Sequence, residues 1–360
     1  MISLESIAAK ARSGERLSEA EALFLFDTDD LLAVGELAAL ANERKNGRRV
    51  FYNVNRHINY SNICANRCRF CAFRRDPDEE GAYLLALEEM RSRAEEAFRQ
   101  GATEIHMVGG LHPDLPFPFY REMLRTVKGV SPRLHLKAFT AVEIDHFARI
   151  SGLSLREVLL SLKESGLDSL PGGGAEIFAP AVRSKLCQEK ISGDRWLEVM
   201  AEAHRCGLRS NATMLYGHLE SSADRVDHLA RLRALQDRTG GFQAFVPLPF
   251  QSANTPLQSE RSRQAGGVDD LKTVAVSRLF LDNFDTIKAY WVLLGEKLAQ
   301  VALAFGANDL DGTVVDERIG HEAGAESPRG MGREEILRLI SSAGKEPVER
   351  DSLYREIHGG

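Results

Sequence analysis

The chain has 360 residues, 43% of them hydrophobic and 27% charged, and a net charge of −6, the profile of a globular protein with ample material for a core. No basic block offers a footprint for nucleic acid, and no apolar run approaches the roughly 20 residues of a membrane span. The N-terminus lacks a basic segment followed by an apolar one, so no signal peptide is expected. Five cysteines, three of them crowded into one loop, fit a reducing cytoplasm rather than a secreted disulfide framework.

In chain order, Leu4 to Lys45 is expected to be helical. Ala-, Glu- and Leu-rich turns recur there, and Asp27-Thr-Asp-Asp caps a second helix, Leu31–Lys45. Residues 1–48 thus form an N-terminal helical extension, expected to cover the bottom of the domain that follows. A β-like run, Phe51 to Asn62, then leads into the loop Cys64-Ala-Asn-Arg-Cys68-Arg-Phe-Cys71. Strand, loop and helix next alternate about eight times. Strands are expected at His57–Asn62, Glu104–Val108, Leu134–Ala138, Ser169–Leu170, Ser210–Leu215, Gln243–Pro247, Ile287–Val292 and Val301–Ala304. Amphipathic helices such as Leu85–Gln100 and Arg195–Cys206 separate them. Alternation of this kind implies a parallel sheet, and eight units imply a closed α/β structure, a (β/α)8 TIM-like barrel over residues 49–325. The stretch Gln258–Asp285, with Gly266-Gly267, is expected as a loop and a helix inserted before the seventh strand. Arg333–Ala343 is the expected helix of a C-terminal tail, residues 326–360, ending in a frayed Gly-Gly.

Polar and glycine-rich residues gather after each strand. They include the cysteine loop, Gly109-Gly-Leu-His-Pro, Pro171-Gly-Gly-Gly-Ala-Glu, Tyr216-Gly-His-Leu-Glu and Asn308-Asp-Leu-Asp-Gly. In barrels the active site is built from loops at the strand C-termini, so these groups are expected at one mouth. The three cysteines carry the most specific signal there. Iron–sulfur clusters are held by closely spaced thiolates, and three thiolates for four irons leave one iron open, as a catalytic metal site does. Zinc knuckles have a second ligand pair, and none is evident here. Cys64, Cys68 and Cys71 are therefore assigned as ligands of a [4Fe–4S] cluster. Cys187 and Cys206 are isolated; Cys206 is expected to be a buried small hydrophobe.

The spacing Cys-x3-Cys-x2-Cys, with Phe70 before the last cysteine, resembles the signature of the radical S-adenosylmethionine enzymes. That resemblance implies that the open iron takes the amino and carboxylate groups of S-adenosylmethionine, and that reductive cleavage releases a 5′-deoxyadenosyl radical. Phe70 and Phe73 would then flank the adenine. Gly109 and Gly110 would admit the methionine end; the family often has Glu as the third residue of this stretch, and Leu111 here shifts the task to backbone carbonyls and His112. Gly172 and Gly173 allow close approach of a ligand, and Glu176 would bind ribose hydroxyls. His218 lies in the loop after the fifth strand and Asp309 after the eighth, both where ligands are expected. Glu317 and His321, at i and i+4, form a candidate carboxylate–imidazole pair for proton transfer, so Glu176, Glu317 and His321 are the candidate catalytic groups.

Longer stretches, His135-Leu-Lys-Ala-Phe-Thr-Ala-Val-Glu-Ile, Leu167–Phe178, Asn211–His218 and Gly241–Leu248, resemble the branch of that family that makes aminofutalosine on the futalosine route to menaquinone. The resemblance implies addition of the radical to 3-[(1-carboxyvinyl)oxy]benzoate, rearrangement and loss of the carboxyl group, with flavodoxin or ferredoxin as the reductant. A substrate with two carboxylates needs cationic partners, for which Lys137 and Arg56 are candidates, with Arg209 and Arg278 behind them. Lys137 stands out because a lysine within an apolar strand must face a cavity or bear the cost of burial. The pathway's sister cyclase, which abstracts hydrogen and closes a ring, shares the cysteines and the triple glycine, and the deazaflavin-forming synthases are further relatives. A non-catalytic iron–sulfur carrier would want four protein thiolates and no deep cavity.

Overall fold

In the computed structural model, which describes residues 2–260 and 265–357, ten strands are arranged in two parallel sheets. They are β1 (Arg49–Asn53), β2 (Asn55–Ile58), β3 (Glu104–Met107), β4 (His135–Ala138), β5 (Ser169–Leu170), β6 (Arg209–Tyr216), β7 (Phe242–Pro249), β8 (Thr286–Ile287), β9 (Asp309–Gly312) and β10 (Glu346–Glu349). β2 to β8 lie side by side in sequence order as a curled sheet. Single parallel bridges, Lys288 to Asp309 and Arg56 to Val315, bring the β9 segment between the two ends of that sheet. β9 therefore holds the eighth position of the expected barrel.

The strands β2 to β7 fall where alternation placed them, within a few residues at their ends. The last two do not. Expected strand Val301–Ala304 is half the end of a helix, Glu296–Ala302, and half the turn after it, and Asp309–Gly312, expected as a loop, is the strand. Trp291–Leu294 likewise turns helical after β8. Short apolar runs fit either periodicity, and in both cases tertiary packing decides. The helix inserted before β8 is present as Gly267–Phe280; the loop before it includes residues 261–264, which lie outside the described ones, as does the Gly-Gly end.

Helix starts follow the expected chemistry. Asp30 accepts from the Ala33 amide at 3.0 Å to begin Leu31–Asn46, and Thr140, Ser154 and Ser221 each close a reciprocal cap with an acidic residue three positions on. Of the N-terminal helices, Glu19–Asp27 and Leu31–Asn46 pack on the helices Ser222–Thr239 and Gly267–Phe280, and Leu4–Ser13 packs on Leu31–Asn46. Lys45 also donates to the carbonyls of Asp282 and Phe284, just below β8. The extension thus covers one flank as well as the lower rim. In the C-terminal part, the expected helix, Arg333–Ser342, is followed by a strand that periodicity did not reveal. β10 pairs in parallel with β1, which pairs on its other side with β9. No helix among the described residues is long and apolar enough to cross a membrane.

Most barrels fill their centre with branched apolar side chains. Here the register puts His57, His106 and Lys137 side by side on β2, β3 and β4, with Glu104 two residues below His106. The interior is polar, and it opens upward into the cavity described next.

Candidate functional site

A cavity of about 340 Å³ runs from the cysteine loop down into the barrel. The loop is fastened on three sides. The Cys64 amide donates to Arg75 at 3.2 Å, the Ala65 amide to Leu111 at 2.8 Å, and the Arg69 amide to Leu186 at 2.8 Å, all at carbonyl oxygens. Cys64, Cys68 and Cys71 all line the cavity. The Leu111 amide donates to the Cys64 sulfur at 3.3 Å. Burial pushes the Cys68 thiol up to about 12, against the nearby charge of Lys190. Burial also raises the Cys71 thiol, opposed by the backbone amides of Arg74 and Phe73 and by Lys190. Amide donors and a cation favour the thiolate form, the form that binds metal. Among the described residues, no three His, Cys, Asp or Glu groups converge on a single-ion site. The three cysteines line one rim of the cavity with amide donors and Lys190 beside them, a set whose chemistry fits a [4Fe–4S] cluster.

The glycine pair follows β3 and is pressed against this loop. A Cβ on Gly110 would stand 2.2 Å from the Ile63 carbonyl oxygen and 2.9 Å from the Cys64 Cβ. The closest approach that glycine permits here is thus between two segments of chain, rather than directly to a ligand. Gly110→Ala is expected to displace Cys64, with a cost of about 1–3 kcal/mol and a lower iron content after anaerobic reconstitution. Unchanged iron stoichiometry would refute that reading. Gly172 is similar: a Cβ there would meet the Ala212 backbone at 2.7 Å. Gly109 donates its amide to Glu143 at 3.2 Å, and Glu143 also accepts the Tyr60 hydroxyl at 2.6 Å and the Thr140 amide at 2.7 Å. Burial raises the Glu143 pKa despite these donors.

Glu176 has a left-handed backbone, φ 49°, uncommon for a residue with a side chain. Its carboxylate accepts from Lys190 at 2.6 Å, and the Lys190 ammonium sits 5.1 Å from the centre of the Phe70 ring. Glu176, Lys190, Phe70 and Phe73 all line the cavity near the cysteines. Lower down lie Lys137, bonded to Glu104 at 2.6 Å, and Lys288, paired with Asp311. These two lysines, Asp311, His57, His106 and Asn211 line the deepest part. Burial lowers the pKa of His57, and it lowers that of His106 further with the help of the His57 charge. Their rings stack with centroids 4.3 Å apart. Apolar residues, Leu215, Val246, Leu248 and Phe250 among them, form the opposite wall.

Of the candidate residues, Cys64, Cys68, Cys71, Phe70, Phe73, Gly109, Gly110, Gly172, Gly173, Glu176, Lys137 and Glu317 share this cavity. Four others are corrected, and a fifth, His321, forms the expected pair with Glu317. Arg56 neighbours the inward-facing His57, so alternation turns it outward, where it pairs with Glu96 at 3.0 Å and Asp316 at 2.6 Å. His112 does not line the cavity, and its Nδ1 accepts from the Asp114 amide at 3.2 Å. His218 folds back on the Leu215 carbonyl and Glu220, both at 2.9 Å. Asp309 is fully buried against Arg350 at 2.8 Å, below the cavity floor. His321 bonds Glu317 at 2.9 Å from behind; that hydrogen bond, more than burial, governs its raised pKa. Arg278, which burial holds down to about 9, anchors the Gly306 carbonyl, and Arg209 lies outside with the Gly240 carbonyl. Asp311, from the stretch expected at the mouth, does line the cavity, whereas Lys190, Glu143, Lys288, His106 and Asn211 were not singled out from the sequence as site residues. Polar–apolar alternation within their own strands, Glu104-Ile-His106-Met and Asn211-Ala-Thr213-Met, is the signal that could have pointed to His106 and Asn211.

Residues 58–232 match the Radical SAM superfamily, and residues 239–358 match the CofH/MqnC C-terminal region. The chain is 47% identical to an aminodeoxyfutalosine synthase of Thermus thermophilus, over 98% of this chain and 95% of the relative. It is 45% identical to a 5-amino-6-(D-ribitylamino)uracil–L-tyrosine 4-hydroxyphenyl transferase of Methanopyrus kandleri, over 86% of this chain and 85% of the relative. Among solved structures it resembles methylornithine synthase, with a TM-score of 0.75 at 20% identity, covering 95% of this chain and 97% of the other, a likeness of fold.

Proposed function

The chain belongs to the radical S-adenosylmethionine superfamily, and from that premise we propose that it joins the deoxyadenosyl unit of S-adenosylmethionine to 3-[(1-carboxyvinyl)oxy]benzoate, forming aminodeoxyfutalosine with loss of the carboxyl group. The observation that carries this reading is the 47% identity to an aminodeoxyfutalosine synthase across nearly the whole of both chains. When bound, the [4Fe–4S] cluster and S-adenosylmethionine supply reductive cleavage of the sulfonium to methionine and a 5′-deoxyadenosyl radical, with a low-potential donor such as flavodoxin or ferredoxin as the electron source.

The chain's own residues bind, orient and exclude water. Cys64, Cys68 and Cys71 hold the cluster at the mouth. Glu176 is ion-paired to Lys190 and lies where a ribose diol would find an acceptor, beside Phe70 and Phe73. The wall of Leu215, Val246, Leu248 and Phe250 offers an aromatic ring an apolar face and keeps water from a reactive carbon. Glu317, with His321 behind it, is the proton-holding pair nearest the far side. A cytoplasmic setting fits an oxygen-sensitive cluster and thiols without disulfide partners.

The 45% identity to the tyrosine hydroxyphenyl transferase favours one second reading, transfer of a tyrosine-derived aryl group to an aminouracil. Anaerobic incubation of reconstituted protein with S-adenosylmethionine, dithionite and either substrate set separates the two. A product with the mass of aminodeoxyfutalosine from the carboxyvinyloxybenzoate alone supports the first. The aryl–uracil adduct, or free 5′-deoxyadenosine without adduct, rejects it.

A further inference from the structure

We propose that the floor of the cavity is a seat for a carboxylate of an aromatic acid, built from Lys288 and Lys137 with His106 and Asn211 completing it, so that the acid's ring is held with its substituent pointing up toward the cysteine loop. The proposal rests on the synthase reading for the identity of the acid, and on the geometry alone for the seat.

Hydrogen-bond donors are left over at the floor of the cavity. Lys137 is 3% exposed and Lys288 1% exposed, yet each ammonium has a single hydrogen-bond partner, Glu104 for one and Asp311 for the other. An ammonium carries three donors, and a buried polar group without partners costs free energy. Two donors on each lysine therefore remain, and both residues line the same cavity. Burial lowers the pKa of Lys137, and the Lys288 charge adds to that effect, so the two charges bear on one another. Two further polar groups in this cavity make no hydrogen bond among the described residues. Asn211 is only 7% exposed, and its amide lies among the cavity-lining groups. His106 is half-buried and lines the same space, held by its stack on His57.

Surplus donors from four different strands or strand ends match the two oxygens of a carboxylate. The inner carboxylates, Glu104 and Asp311, offset the lysine charges in the resting protein, so recognition depends on donors more than on net charge. This favours a compact, bidentate anion over diffuse attraction. The apolar wall above the floor suits an aryl ring. Together they select an aromatic acid over an aliphatic one and over an aromatic alcohol or amide.

The test uses reconstituted holoprotein and two probes, 3-hydroxybenzoate and 3-hydroxybenzamide, titrated calorimetrically. The expected result is at least tenfold tighter binding of the acid. Lys288→Gln combined with Asp311→Asn, which removes the pair without stranding a buried charge, is expected to erase that preference. Its cluster absorbance and S-adenosylmethionine affinity stay at wild-type values. Lys288→Arg retains part of the preference. Equal binding of acid and amide by the wild-type protein, or an undiminished preference in the double variant, overturns the seat. Failure of the synthase reading has a separate signature, an intact acid preference without the aminodeoxyfutalosine adduct.

Discussion

Cys68→Ala is expected to give a folded, colourless protein that cleaves no S-adenosylmethionine. Cys68 is buried at the cavity edge and packs in the main core, where an alanine of smaller size is tolerated. The folding transition should therefore move by no more than about 1–2 kcal/mol. The chemistry, by contrast, loses one of the loop's three thiolates; Cys187, which caps the helix Pro180–Leu186 and whose charge bears on Cys68, is replaced by alanine in a parallel variant so that it cannot stand in for Cys68. The loss of turnover should exceed the roughly 10- to 100-fold effect of removing a residue that only supports a metal ligand. Absorbance near the thiolate-to-iron band, iron content and 5′-deoxyadenosine release are the three readouts. Retention of full iron with full cleavage would overturn the assignment of Cys68 as a ligand, and with it the reading of the cavity mouth.

The second large effect is on stability. Arg350 and Asp309 are both fully buried and bonded at 2.8 Å, and the same guanidinium lies 4.2 Å from the Tyr354 ring. Arg350→Ala strands the Asp309 carboxylate in a closed interior. Breaking one side of a buried pair costs about 3–5 kcal/mol, and chemical denaturation should show a loss of that size. Arg350→Met combined with Asp309→Asn removes both charges and is expected to recover most of it. A loss below about 1 kcal/mol in the single variant would mean that water reaches Asp309. Turnover should fall as well. Arg350 also donates to the Asp311 carbonyl at 3.4 Å, and Asp311 positions Lys288.

What the sequence disclosed and what it withheld divide along a physical line. The cysteine trio, the two glycine turns and Glu176 were legible because each is a local pattern whose residue types fit few other purposes. Lys137 was legible from one anomaly, a charge within an apolar strand. Its partner Glu104 lies 33 positions away, and Lys288 lies 23 positions from Asp311. Which strand residues face the interior, and which partner meets which, depends on closure of the sheet. Arg56 shows the same limit from the other side, since a single step along β2 exchanges the cavity for the outer helices. The misplaced eighth strand had a different cause. Val301–Ala304 is as apolar as a buried strand, whereas Asp309–Gly312 carries two acids that no periodicity would place in a sheet. Those acids are tolerated there because Arg350 and Lys288 meet them.

The position of β1 between β9 and β10 has a consequence for biogenesis. Tyr52 and Glu349, hydrogen-bonded at 3.0 Å, are 297 positions apart, so the middle strand of this sheet leaves the ribosome early and its outer neighbour late. At ordinary elongation rates the interval is roughly 15 to 60 s. Until its end β1 lacks its second flank, and Asp309, made 41 positions before Arg350, lacks its counter-ion. A chain that stops before β10 and Arg350 therefore leaves Asp309 without its counter-ion and β1 without its outer neighbour.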